Sequence, residues 1–142
     1  MDRKATPKPA VKHYLDLLAD EGFRPTLTRD ERQSILRFKW EGVAFLLIVD
    51  DEDDDFFHLA LSYALGDGVD VAAAISRAND VNQGYKAVKI TIHPAERSVR
   101  FHVEAFLESP ATFRILERSV AALKDAARAY FEQARPADRL DA

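Results

Sequence analysis

In residues 34–40 and again in 56–65 apolar side chains recur at every second residue, and that period commits the middle of the chain to a sheet. Leu36, Phe38 and Trp40 alternate with Arg37 and Lys39. Glu41-Gly42 then reads as a two-residue hairpin turn, with glycine supplying positive φ at the second position. Residues 43–49 are apolar on both parities: Ala44, Leu46 and Ile48 on one, Phe45, Leu47 and Val49 on the other. A strand covered on a single face has no need of that second set. After six consecutive acids, Phe57, Leu59, Leu61, Tyr63 and Leu65 alternate with His58, Ala60 and Ser62. Three antiparallel strands in a meander are the simple reading.

On both sides of this region the period is helical. Val11, Tyr14, Leu15 and Leu18 form a stripe within residues 10–21, and Gly22 is placed to end that helix. Residues 25–32 show no periodicity and read as a connection. Asp70 is the expected N-cap of a second helix, with Val71, Ala74, Ile75, Ala78 and Val81 or Asn82 as its stripe. Two further strands follow, at residues 86–93 and 98–107, joined by the turn Pro94-Ala95-Glu96-Arg97. The last helix is expected to open with Ser109 as cap and Pro110 at N1. Phe113, Leu116, Val120, Leu123, Ala127 and Tyr130 or Phe131 carry its apolar face, and Pro136 is expected to end it.

These elements predict an α+β domain with an antiparallel sheet of about five strands and three helices, in the order α-β-β-β-α-β-β-α. A length of 142 residues with 47% hydrophobic and 31% charged residues suits one folded domain. Its expected span is residues 10–135, between a mobile N-terminal tail at residues 1–9 and a C-terminal tail at residues 136–142. The first residues lack the apolar core of a secretory signal, and no apolar run approaches the about 20 residues of a membrane-spanning helix. The absence of cysteine excludes disulfides and thiolate chemistry and suits a reducing compartment. A cytoplasmic protein with no membrane association is the expectation.

Net charge is −4, yet residues 50–70 hold eight acids and no base. Asp50, Asp51, Glu52, Asp53, Asp54 and Asp55 repel one another and read as a solvated hairpin tip. They oppose phosphate binding, so nucleic acid is not an expected partner. Calcium coordination in the EF-hand manner fails in both registers. A count from Asp51 puts Phe56 and Ser62 where glycine and the bidentate glutamate belong, and a count from Asp50 puts Asp55 and Leu61 there.

The four histidines, His13, His58, His93 and His102, show none of the short spacings of a metal site. Three of them fall on polar-parity positions of different strands, where two could meet across the sheet. Surface histidines outweigh a ligand set, so no metal or cofactor is expected. His58, Glu104 and a nearby serine could be drawn as a catalytic set, but no nucleophile elbow or oxyanion hole accompanies them. Gly66-Asp67-Gly68 lacks the pattern of a phosphate loop. An enzyme is not expected.

What asks for an explanation is the surplus of apolar strand surface. Three helices are expected to cover one sheet face and part of the second, leaving a hydrophobic remainder that a monomer avoids. The candidate interaction surface comprises Ala44, Leu46, Ile48, His58 and His102, with Ala73 on the small-residue helix. A protein partner and a homodimer are the expected associations. The alternative is a small-molecule or ion-responsive sensor module. A closed pocket lined by His58, His102 and Glu104 would favour the sensor, and a shallow apolar groove the adaptor.

Three stretches carry a resemblance to a known family. They are Phe38-Lys39-Trp40-Glu41-Gly42-Val43-Ala44-Phe45, Ala74-Ile75-Ser76-Arg77-Ala78-Asn79-Asp80-Val81-Asn82, and Val103-Glu104-Ala105-Phe106-Leu107-Glu108, with Asn79, Asn82 and Glu104 as polar markers. Together with the element order they resemble the YbjN-type family of bacterial sensory-transduction regulators, related in fold to type III secretion chaperones. The resemblance implies a chaperone-like fold that binds protein, often as a homodimer, without cofactor or catalytic residues.

Overall fold

The computed structural model describes residues 8–140, with side chains for residues 8–133. Its elements run α1 (Pro9–Asp20), β1 (Thr26–Asp30), β2 (Gln33–Trp40), β3 (Val43–Asp50), β4 (Phe56–Ala64), α2 (Val71–Asn82), β5 (Val88–His93), β6 (Ser98–Phe106) and α3 (Phe113–Leu140). All strand pairs are antiparallel, in the order β1-β2-β3-β4-β6-β5. The sheet has six strands where five were expected. The extra one is β1, whose five residues are all exposed, so no buried alternation marks it. Its pairing with β2, with Leu27 opposite Leu36 and Thr28 opposite Ile35, makes it a strand.

Local chemistry explains the element ends. Pro9 stands at the start of α1, where its missing N–H is no loss, one residue before the helical stripe expected from residue 10. Gly22, at φ +89°, donates to the Ala19 carbonyl, and Phe23 N–H donates to Leu18 O at 2.9 Å. These are the two bonds of a Schellman stop, and they fold Phe23 back against Phe38 and Trp40. Asp70 caps α2 through the Ala73 N–H, as the sequence indicates.

The start and end of α3 differ from expectation. Ala111 is held against α1, because its N–H donates to the Tyr14 hydroxyl at 2.8 Å and His13 Nε2 donates to its carbonyl at 2.9 Å. The helix therefore opens after Thr112, whose hydroxyl accepts the Ile115 N–H, and not at Ser109-Pro110. It runs to Leu140, past Pro136. A proline removes one backbone bond and crowds the preceding turn, which bends or weakens a long helix without always stopping it. Residues 1–7 and 141–142 of the expected tails lie outside the described residues.

The core occupies one side of the sheet. Leu36 and Phe38, Phe45 and Leu47, Phe57, Leu59 and Leu61, Ile90, and Val99 and Phe101 point into it from their strands. Val11, Tyr14 and Leu18 of α1, Ala74, Ala78 and Val81 of α2, and Leu116, Val120, Leu123, Ala127 and Tyr130 of α3 meet them there. All three helices thus pack on the same face. None of the described helices covers any part of the second face, which corrects the expectation of partial cover. Among the described residues no helix is long and apolar enough to cross a membrane.

Candidate functional site

The uncovered face carries the opposite parity of every strand. Register places Ile35 opposite Ile48, Arg37 opposite Leu46, and Lys39 opposite Ala44. Next across are Ala60 beside Leu46, then His102 beside Ala60 and Glu104 beside His58. Leu46 and Ile48 are half-buried by their neighbours alone, and Ala44 is exposed beside a groove lined by Phe23, Arg24, Thr26 and Arg37. At the end near the acidic loop, Phe56 packs against Phe106 with ring centroids 5.7 Å apart, and Phe106 is 79% exposed.

The structure therefore brings together Ala44, Leu46, Ile48, His58 and His102, five of the six residues of the candidate surface. Ala73 is separate. It is exposed on α2, which lies across the sheet against β5 and α3, so it cannot share a patch with the other five. Within α2, Ile75 is also half-exposed and not part of the buried stripe.

A polar cluster sits within this apolar face. His58 Nε2 lies 2.8 Å from His102 Nδ1, and His102 Nε2 lies 3.0 Å from the Thr91 hydroxyl, which is 2.9 Å from His93 Nε2. Glu104 Oε1 is 3.6 Å from His58 and 4.0 Å from His102, and it accepts from Lys89 Nζ at 2.8 Å. One direction of donation satisfies the chain. His58 Nε2–H donates to His102 Nδ1, His102 Nε2–H to Thr91 Oγ1, and Thr91 Oγ1–H to His93 Nε2. That leaves the His93 Nδ1–H facing the Glu96 carboxylate at 3.7 Å, whereas the reverse direction would turn a nitrogen lone pair toward it.

Burial pushes both central imidazoles below the ordinary histidine range. His102 falls to about 4, through burial first and the neighbouring His58 second, against the opposing pull of Glu104. His58 is lowered by burial, which Glu104 partly offsets. For Glu104, burial pushes upward, and the Lys89 ammonium together with the two histidines outweighs it, so the carboxyl sits below its usual value. Near neutral pH the cluster holds two neutral imidazoles and one carboxylate. Sequence reasoning placed these histidines on the right parity but left out Thr91 and Lys89. Both stand on β5 beside residues of β6, with Lys89 opposite His102.

The acidic run is more ordered than a solvated tip. Asp50 carboxylate accepts the Glu52 N–H, and Asp53 accepts that of Asp55. Asp51 pairs with Arg29 at 2.7 Å, its carbonyl accepts from Lys8 Nζ, and its N–H donates to Arg32 O. The loop is thereby tied to β1.

An antiparallel sheet with three helices on one side defines an α+β protein. The chain belongs to the YbjN family, described as "Putative bacterial sensory transduction regulator", whose profile matches residues 15–136. No curated protein matches it. Two solved structures share the fold. An uncharacterized protein from Methanothermobacter thermautotrophicus is 14% identical with a TM-score of 0.61, over 87% of this chain and 92% of that one. A chain of the HopA1–SchA chaperone–effector complex is 14% identical with a TM-score of 0.60, over 89% of this chain and 99% of that one.

Proposed function

We propose that the protein is a non-catalytic protein-binding module, a bacterial regulator or chaperone-like adaptor of the cytoplasm, and that it engages its partner through the uncovered sheet face. The observation that carries this reading is the placement of Ile35, Leu46, Ile48, Phe56 and Phe106 on a face without helix cover. Contiguous apolar surface of this kind marks an interaction site in a folded protein. The chaperone–effector complex among the similar folds supports the same reading.

We further propose that two copies associate as a homodimer through this face. A stable contact of that type needs at least about 1,000 Å² of buried surface with an apolar centre. Sedimentation of the full chain, alone and with Leu46→Arg or Ala73→Arg, tests the proposal. The expected result is a dimer that Leu46→Arg splits and Ala73→Arg leaves intact. A monomer at micromolar concentration would remove the homodimer, and capture of the same partner protein by wild type and Leu46→Arg alike would remove the face as the binding surface.

A further inference from the structure

We propose that His58, His102 and Glu104 form a binding site for one divalent transition-metal ion of the zinc class. Three potential ligand atoms converge: His58 Nε2, His102 Nδ1 and Glu104 Oε1, separated by 2.8, 3.6 and 4.0 Å. A tetrahedral ion with bonds of about 2.0–2.1 Å holds its ligand atoms about 3.3 Å apart. Shifts of well under an ångström therefore suffice to seat an ion among the three. The arrangement follows from the sheet: His102 and Glu104 are two residues apart on β6, and His58 stands directly opposite Glu104 on β4.

The surroundings suit such an ion once the neutral His58 ring carries its proton on Nδ1, which leaves Nε2 free to ligate in place of its hydrogen bond to His102. His102 has its remaining nitrogen engaged by Thr91, which links onward to His93, so the ring is oriented with Nδ1 toward the site. Ala60 lies opposite His102, and with Leu46 beside it forms an apolar floor. Two imidazoles and one carboxylate select zinc, cobalt, nickel or copper over calcium and magnesium, which require oxygen donors. Because the face is open, a fourth position remains for water or a side chain of another molecule. The proposal rests on this cluster and not on the protein-binding reading.

Titration of the metal-stripped full chain with Zn²⁺ by calorimetry, and with Co²⁺ by visible absorption, tests it. The expected result is one ion per chain, with cobalt bands of a tetrahedral nitrogen and oxygen site. His58→Gln and Glu104→Gln should each weaken binding by more than the about 10- to 100-fold that loss of an outer partner costs. Thr91→Val should fall within that range. His58 and Glu104 are the more accessible ligands, so the test stands on them if a His102 variant does not fold. A double variant Asp53→Asn, Asp54→Asn should bind unchanged. Absence of tetrahedral cobalt bands, or binding that survives His58→Gln and Glu104→Gln but is lost in the acidic-loop variant, would overturn the proposal.

Discussion

The Asn82 side chain pairs with the backbone of Ile90 as a neighbouring strand would: its Oδ1 accepts the Ile90 N–H at 2.7 Å, and its Nδ2 donates to the Ile90 carbonyl at 3.1 Å. β5 is an outer strand, bonded along its other side to β6 alone. Groups on its free side need partners, and an unblocked edge invites pairing with another chain. One amide at the end of α2 meets both needs. Asn82→Ala should cost about 1–3 kcal/mol, the penalty for leaving such groups without partners. Asn79→Ala, on the exposed side of the same helix, should stay within about 0.5 kcal/mol of wild type. Urea unfolding measures both, and faster amide exchange at Ile90 in Asn82→Ala identifies the bond as the cause.

This pairing shows what the sequence could and could not convey. Asn82 stood out as a polar marker on a helix, yet its role depends on which strand α2 packs against. The alternation of residues 34–40 and 56–65 marked β2 and β4 because each buries one parity, whereas Thr26–Asp30 buries neither and left no signal. The histidine cluster was half legible. Period two put His58 and His102 on the uncovered parity, but β6 returns to pair with β4 after α2 and β5 intervene. That return places His58 opposite Glu104, and nothing within either strand encodes it.

Tyr14 should shape the alkaline limit of stability. It is 5% exposed, and burial pushes its phenol above the usual range while the Ala111 N–H bond pulls slightly the other way. His13 packs edge-on beside the ring, and the Phe57 ring lies tilted with its centroid 6.4 Å away. Because the folded-state value is raised, the contribution of the neutral phenol is complete below about pH 10 and is lost as pH climbs through the folded value. Tyr14→Phe should be about 1–3 kcal/mol less stable at neutral pH, because the buried Ala111 N–H loses its acceptor. Above pH 10 wild type should lose stability faster than Tyr14→Phe, so the gap narrows. Parallel unfolding curves for the two proteins across that range would contradict this account.

The β2–β3 hairpin turns through Glu41 at φ +50° and Gly42 at φ +80°, between the paired residues Trp40 and Val43. Two consecutive positive φ angles are the type I′ pattern, which follows the twist of the strands. A Cβ on Gly42 would meet nothing within 4 Å, so Gly42→Ala tests backbone strain alone. The expected loss is about 1–2 kcal/mol. Glu41→Asn should raise the unfolding midpoint, since asparagine tolerates the left-handed region and the exposed Lys124 pair it replaces holds little. Thermal unfolding of the two variants should move in opposite directions.

Lys89 is the group that most opposes a cation at the histidine cluster. Its ammonium lies 2.8 Å from Glu104 Oε1, and its side chain is 54% exposed, so it can swing into solvent without leaving a buried charge. A divalent ion held by His58, His102 and Glu104 would still meet this positive charge at roughly 5 Å, which at the dielectric of water is a repulsion of about 1–2 kcal/mol. Salt screens part of it. Lys89→Met keeps the aliphatic stem and removes the charge, and should therefore tighten Zn²⁺ binding by about 10-fold at low ionic strength, with a smaller gain at high salt. Lys124→Met, whose partner is Glu41 at the hairpin, serves as the comparison and should leave affinity unchanged. Calorimetric titration of the three proteins at two salt concentrations measures the effect. Equal affinities for wild type and Lys89→Met would place the ion somewhere other than beside Glu104.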